Sequence, residues 1–271
     1  MTENVMETRP LPNSKASRVN WIALAPWLYT IAFFLIWEAV VRIFGIRPTI
    51  LPAPSAIAKT LYQYWPAIQR HSIQTLFTTT LGFGLAVVGG LALGLLVGWS
   101  RMIYAGLYPL MVGFNAIPKV AVVPILVIWF GIGTIPAVLT AFLIAFFPIV
   151  GNVATGLATI EPETEDVLRA LGARKIDIML KVGIPRSMPY FFGSLKIAIT
   201  LAFVGSVISE TIAANTGLGY MMAAAQSQFN VPLVFAGLIM LAVEGIVMYA
   251  LMAWVEQRMT GWAHRSQLAN T

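Results

Sequence analysis

Four ionisable side chains lie in or beside long apolar runs of this 271-residue sequence. They are Glu38, Lys119, Glu210 and Glu244. If these runs lie in lipid, each charge needs either a polar pathway or a partner. Ionisable groups at membrane depth are rare, and they either line polar pathways or pair with a neighbour. Arg42, one helical turn after Glu38, predicts an ion pair. Lys119 and Glu210 are candidates for lining a polar path through the membrane. Alternatively, Lys119 extends to the membrane interface and Glu210 forms an interhelical hydrogen bond. We interpret Glu244 as a satisfied packing group.

Catalytic and cofactor signatures are missing from the sequence. It has no cysteine, which excludes disulfides and thiolate chemistry, and its two histidines, His71 and His264, are too far apart for a paired metal site. No Gly-x-x-x-x-Gly-Lys-Ser/Thr motif occurs, so the chain cannot hydrolyse ATP through a P-loop of its own. "NTGLGY" lacks the third glycine of a dinucleotide fingerprint, which Met222 replaces. We therefore predict a non-catalytic chain that binds no metal or cofactor.

A second set of ionisable residues forms one dense segment at 161–186. It holds ten of the 28 charged side chains in a sequence that is only 10% charged and 58% hydrophobic. Ten charges within a bilayer would cost about 25–35 kcal/mol, so the segment lies outside it. Acids at its start and bases further on suit a helix macrodipole, and Gly172 suits a helix stop. A second helical piece is predicted over 174–182, ending before Pro185.

The elements that position these groups are membrane-spanning helices. Residues 120–160 and 211–243 carry no charged side chain, and about 20 continuous apolar residues suffice to cross a bilayer as a helix. We predict six spans, the third of them interrupted near Pro118, and a short amphipathic surface helix in "PAPSAIAKTLYQYW". The spans run over residues 21–43, 73–99, 102–133, 135–157, 190–213 and 232–255.

The distribution of basic residues predicts the orientation. With both termini in the cytoplasm, eleven Lys and Arg residues lie inside and four outside, as the positive-inside rule requires. The prediction is a cytoplasmic tail at 1–20, one transmembrane domain at 21–258 with a cytoplasmic loop at 158–189, and a cytoplasmic tail at 259–271. The formal charge of +6 fits this arrangement better than nucleic-acid binding, since no basic patch is interleaved with aromatic residues.

Small residues recur at every fourth position of the second span, at Ala86, Gly90, Gly94 and Gly98. Such a stripe lets two helices approach closely. It predicts a helix-packing face, whose partner lies either in the same chain or in a second copy.

The charged loop resembles the cytoplasmic signature of ABC importer permeases, which is Glu-Ala-Ala, three residues, Gly, nine residues, Ile, one residue, Leu-Pro. Here Asp166-Val167-Leu168 stands at the triplet, Gly172 at the glycine, Val182 at the Ile and Ile184-Pro185 at the final pair. Asp replaces Glu and Val-Leu replaces Ala-Ala, whereas the glycine and proline keep their spacing. "LPAPSAI", "AIPKVAVVPILVIWFGIG" and "NTGLGYMMAAAQSQFNVPLVFAGL" also resemble permeases for nitrate, sulfonates, taurine and thiamine precursors.

This resemblance implies an all-α integral membrane protein, a six-helix type I importer permease with a cytoplasmic coupling helix. The implied partners are separate ATPase subunits that carry ATP and Mg²⁺, a periplasmic or lipid-anchored solute-binding protein, membrane lipid and a second permease copy. The implied location is a bacterial inner membrane. Carried over by position, the residues expected to couple to the ATPase are Asp166, Arg169, Ala170, Gly172, Ala173, Arg174 and Pro185. Lys119 and Glu210 would then belong to the translocation pathway, for a small organic anion, nitrate or a pyrimidine-type vitamin precursor.

The alternative from another class is an ion-coupled secondary transporter that uses Glu210, Glu244 and Lys119. A P-loop ATPase encoded beside this chain would discriminate, because a secondary transporter needs none. A membrane-embedded hydrolase is disfavoured, since no paired His, Cys or Ser/Lys constellation is found.

Overall fold

The computed structural model describes residues 21–158 and 162–268, which are helical apart from short connections. Eleven α-helices follow one another within these residues, with a 3-10 turn at Lys119–Val122 before α5 and a wide π turn at Met179–Gly183 between α8 and α9. They are α1 (Trp21–Ile43), α2 (Pro54–Gln63), α3 (Trp65–Gly98), α4 (Arg101–Ala116), α5 (Val123–Phe130), α6 (Thr134–Ala158), α7 (Pro162–Ala170), α8 (Lys175–Ile178), α9 (Ile184–Ala213), α10 (Leu218–Ser227) and α11 (Val231–Leu268).

Helices α3, α6 and α9 form the centre of the bundle. Their buried contact surface is rich in small side chains, among them Ala86, Ala141, Ala145, Ala198 and Ala202. Since lipid tails are as apolar as leucine, close backbone approach through small residues is what favours helix association in a membrane. A second buried cluster joins α10 to α2, α3 and α11.

Among residues 21–158 and 162–268, five helices are long and apolar enough to cross a membrane, and a sixth candidate span is a bent pair. The bent pair is Met102–Ala116 followed by Lys119–Phe130, with 78° between the two pieces. The break falls at Ile117-Pro118, as the sequence predicts, because the residue before a proline avoids helical geometry.

The predicted helix break before Pro185 is wrong. Helical structure runs without interruption from Lys175 to Ala213. The π turn at Met179–Gly183 immediately precedes α9, whose second residue is Pro185, and it already displaces the regular i to i−4 register. Proline lacks the N–H that this register would need, so it is accommodated at the start of α9.

Three predicted spans are parts of longer helices. The span predicted at 190–213 is the last part of the helical stretch from Lys175 to Ala213. α3 begins at Trp65 rather than at residue 73. Hydropathy places the start too late because the first turns carry the polar residues Gln69, Arg70 and His71. α11 continues to Leu268, through the segment predicted as a cytoplasmic tail. The tail predicted at 1–20 lies outside the described residues.

Candidate functional site

The charged segment folds as a short helix with a regular stop. Within α7 the Arg169 guanidinium lies 2.5 Å from the Glu165 carboxylate, one turn away. Gly172 adopts a φ of 85°. Its N–H donates to the Arg169 carbonyl at 2.9 Å, and the Ala173 N–H donates to the Leu168 carbonyl at 3.0 Å. These two bonds define a Schellman stop, in which glycine adopts the left-handed conformation at least cost.

The surface of α7 exposes apolar as well as charged groups. Leu171 is 78% exposed and Val167 59% exposed. The predicted coupling residues Asp166, Arg169, Ala170, Gly172 and Arg174 are also exposed, whereas Ala173 and Pro185 are half-buried. Arg174 pairs with Asp177 at 3.0 Å, within its own segment. Exposed large apolar side chains on a charged surface helix are typical of a protein-binding face.

A cleft of about 480 Å³ separates α7 from the nearby ends of α3, α4 and α6. Its lining includes Asp166, Arg169 and Lys175 as well as Trp99 and Tyr104. The Lys175 ammonium lies 5.5 Å from the centre of the Trp99 ring, within cation–π distance. α7 contacts α8, whose Ile178 is buried, and the cleft lies between α7 and the bundle.

The stripe of small residues faces α6 of the same chain. A Cβ on Gly94 would lie 2.7 Å from the Val153 Cβ, and one on Gly98 would lie 2.6 Å from Leu157 Cδ1. Gly90 is similarly close to Ile149, and Ala86 is fully buried in the same interface.

Glu210 lies in a buried hydrogen-bond network between helices. Its side chain is only 1% exposed. It accepts hydrogen bonds from the Thr75 hydroxyl at 2.7 Å, the Thr78 hydroxyl at 3.0 Å and the Gly219 N–H at 3.2 Å. This geometry is that of the interhelical alternative, and in this conformation Glu210 does not face an open path.

The other three intramembrane charges have distinct surroundings. Glu38 and Arg42 form the expected pair at 2.6 Å, and the Ser55 N–H and hydroxyl also donate to Glu38. Lys119 is half-buried, bonds back to Asn115 in the preceding helix, and lies 5.3 Å from the Phe147 ring centre.

Glu244 is only partly satisfied, contrary to the prediction. It is 4% exposed and accepts a hydrogen bond from Ser72. Its Oε2 has no hydrogen-bond partner among the described residues.

Three hydroxyl side chains of α3 hold these carboxyls, and the sequence does not predict them. Ser72, Thr75 and Thr78 recur every third residue in α3 and are all buried. Their spacing places them on one helix face, which is the signal that could have found them. What the sequence does not show is which carboxyl each one meets, because those lie more than a hundred residues away.

The long apolar helices, the interrupted span and the projecting charged helix define a multi-pass α-helical membrane protein of the permease class. Residues 86–261 match the family model of the binding-protein-dependent transport system inner membrane component. The chain therefore belongs to this family, which makes it an ABC importer permease.

Curated relatives agree along most of the chain. The formylaminopyrimidine transport permease protein ThiX of Halalkalibacterium halodurans is 33% identical over 90% of this chain and 97% of its own length. The riboflavin transport system permease protein RibX of Chloroflexus aurantiacus is 31% identical over 97% of this chain and 99% of its own length. The putative aliphatic sulfonates transport permease protein SsuC of Bacillus subtilis is 26% identical over 96% and 93%, respectively.

The fold is shared with a solved transporter. An inward-facing structure of the MetNI methionine ABC transporter has a chain that superposes with a TM-score of 0.63. That chain is 19% identical, and the match covers 72% of this chain and 97% of the other. At this identity the match shows the common fold of type I importer permeases.

Proposed function

We propose that this chain is the non-catalytic membrane subunit of an ATP-driven importer, with α7 as the helix that couples it to ATPase subunits. The observation that carries the proposal is α7 itself, a short helix fixed by the Gly172 stop that stands apart from the bundle and exposes Val167 and Leu171. A rigid element of this kind transmits movement of a bound motor to the helices that follow it.

The proposed assembly contains two copies of this chain, two ATPase subunits that carry ATP and Mg²⁺, and an external solute-binding protein. Both termini and α7 face the cytoplasm, where the ATPases bind. The coupling residues are Asp166, Arg169, Ala170, Gly172, Ala173, Arg174 and Pro185. ATP-driven closure of the ATPases moves the α7 helices of the two copies and changes the side of the membrane to which the bundle opens.

The proposed substrate is a small heterocycle of the pyrimidine type. Supporting this choice, ThiX, whose name specifies formylaminopyrimidine, matches this chain over nearly its whole length at 33% identity. The competing substrates are a larger heterocycle, as the riboflavin relative suggests, and an organic anion, as the sulfonate relative suggests.

Capture of partners from native membranes tests the assembly. The tagged wild-type chain should retain a P-loop ATPase, and Leu171→Asp should reduce the retained ATPase about tenfold or more, because it places a charge in an apolar contact. Ile50→Asp is the matched control, since Ile50 is 71% exposed but lies in the loop between α1 and α2. Gly172→Pro should also lose the ATPase, because proline cannot adopt the φ of this position.

If Leu171→Asp and the wild type retain equal amounts of ATPase, α7 does not form the contact with the ATPase. If the wild-type chain retains no ATPase in a detergent known to preserve such complexes, the proposed importer assembly is wrong. That result would favour the ion-coupled secondary transporter instead. The binding protein captured with the complex then decides the substrate. Its melting temperature should rise with formylaminopyrimidine and stay unchanged with riboflavin or an aliphatic sulfonate.

A further inference from the structure

The first turn of α10 is capped by side chains of two other helices. A helix of ten residues is marginal in isolation, and its first four N–H groups have no partner within the helix. Here the Gly217 N–H donates to His71 Nδ1 at 3.1 Å, the Leu218 N–H to Thr75 Oγ1 at 2.8 Å, and the Gly219 N–H to Glu210 Oε2 at 3.2 Å. Three consecutive N–H groups are thus satisfied by α3 and α9.

The acceptors of this cap are themselves held in place. The Thr75 hydroxyl accepts from Leu218 and donates to Glu210, so it joins two of the three contacts. The Glu210 carboxylate lies at the positive end of the α10 macrodipole, where a negative charge is favoured. His71 accepts through Nδ1, so that nitrogen carries no proton, and its ring lies 5.9 Å from the Tyr220 ring on α10.

The cap also explains the two glycines of "NTGLGY". A Cβ on Gly219 would lie 2.5 Å from the backbone oxygen of Val207, which has no freedom to move away. Gly217 has a φ of 109°, and a Cβ there would meet the Glu210 carboxylate. Glycine at both positions therefore lets the first turn of α10 approach α9 closely enough for the carboxylate to reach its N–H groups.

We propose that Thr75, Glu210 and His71 are positioning residues that fix α10 to α3 and α9, so that these three elements move as one body during transport. Below the cap, α10 buries Leu218, Met221 and Ala225 in the cluster that also contains residues of α2 and α11. Loss of the cap would leave three N–H groups without partners away from water, which favours separation of α10 from this cluster.

Single-cysteine labelling tests the cap directly, because the natural chain has no cysteine. Ala225→Cys places a thiol on the buried face of α10, where the native side chain is 3% exposed. N-ethylmaleimide labels this thiol when α10 opens, and the unreacted fraction is counted after denaturation with a mass-tagged maleimide. Ala202→Cys, in the fully buried centre of the bundle, reports opening of the whole fold.

Thr75→Val should speed labelling at position 225 about tenfold by removing the hydrogen bonds that the hydroxyl makes with Leu218 and Glu210, and Thr75→Ser should restore the slow rate. Thr79→Val is the matched control. Thr79 is a fully buried threonine one turn further along α3, and its hydroxyl has no hydrogen-bond partner among the described residues. Labelling at position 202 should stay at the wild-type rate in all three variants.

A second readout, which rests on the proposed function, is solute-stimulated ATPase activity of the complex with its binding protein. It should fall in Thr75→Val and recover in Thr75→Ser. Labelling at 225 that is equal in Thr75→Val and Thr79→Val would overturn the cap, as would a parallel rise at position 202. Faster labelling with unchanged ATPase stimulation would overturn the role in transport. A wild-type chain that binds no ATPase would contradict the proposed function, while the labelling comparison would still decide on the cap.

Discussion

Two carboxyl groups are buried among the described residues, and they differ in how many hydrogen bonds they accept. Glu210 accepts hydrogen bonds from two threonine hydroxyls and a backbone N–H, which together stabilise a charged carboxylate. Glu244 accepts one from Ser72, and its Oε2 has no hydrogen-bond partner among the described residues. Burying an unpaired charge is far more costly than burying a neutral group, so we expect a neutral side chain of the same shape to be tolerated at position 244.

Glutamine substitutions separate the two roles. Glu244→Gln keeps the acceptor for Ser72 and introduces no charge, so the melting temperature of the purified protein should stay near that of the wild type. Glu210→Gln directs an amide N–H₂ group towards groups that already donate, and should lower stability by about 1–3 kcal/mol. A loss from Glu244→Gln as large as that from Glu210→Gln would contradict this difference between the two carboxyl groups.

At the scale of elements, the close contact between α3 and α6 depends on glycine residues of α3, which have no side chain. The glycines at positions 90, 94 and 98 face α6 and leave no room for a Cβ, as the 2.7 Å approach to Val153 at Gly94 shows. Gly84 belongs to the same helix, but nothing lies within 4 Å of a Cβ placed there. Glycine is therefore needed at position 94 for close approach of the two helices, whereas at position 84 it only lowers helix propensity.

Alanine at these two glycines should have opposite effects. Gly94→Ala overpacks the interface and should destabilise the protein by about 1–3 kcal/mol. Gly84→Ala should stabilise it by about 0.5–1 kcal/mol, because alanine has the higher helix propensity. Thermal unfolding followed by circular dichroism measures both. Equal shifts in the two variants would mean that α3 and α6 are not in contact here.

The sequence predicts the membrane-spanning helices better than the helix ends and the contacts that connect them. Apolar runs and Pro118 predict the long helices and the bend, and Gly172 predicts the stop of α7, because these signals are local. The first turns of α3 are polar, so hydropathy misses them, and the π turn that admits Pro185 into a continuous helix has no local pattern. The cap of α10 depends on contacts between Thr75, Leu218 and Glu210, and no pattern in one sequence specifies which distant groups meet.

At the scale of the whole molecule, the bend between α4 and α5 determines the topology. Within the described part of the chain, five helices are long and apolar enough to cross on their own, and the bent pair either adds a sixth crossing or re-enters on the side where it began. With six crossings, the loop between α1 and α2 lies on the side opposite to α7. With five, it lies on the same side as α7. The turn between α10 and α11 lies opposite to α7 in either case, because α9 crosses between them.

Three single cysteines decide between these topologies in intact cells. Ile50, Leu171 and Phe229 are each more than 70% exposed, and they lie in the α1–α2 loop, after α7 and in the α10–α11 turn, respectively. With six spans and cytoplasmic termini, a membrane-impermeant maleimide should label Ile50→Cys and Phe229→Cys from outside, and Leu171→Cys only after permeabilisation. The eleven basic residues then lie inside, as the charge distribution requires. If Ile50→Cys and Leu171→Cys are protected together while Phe229→Cys is labelled, the bent pair is re-entrant, and the amino terminus lies opposite to α7.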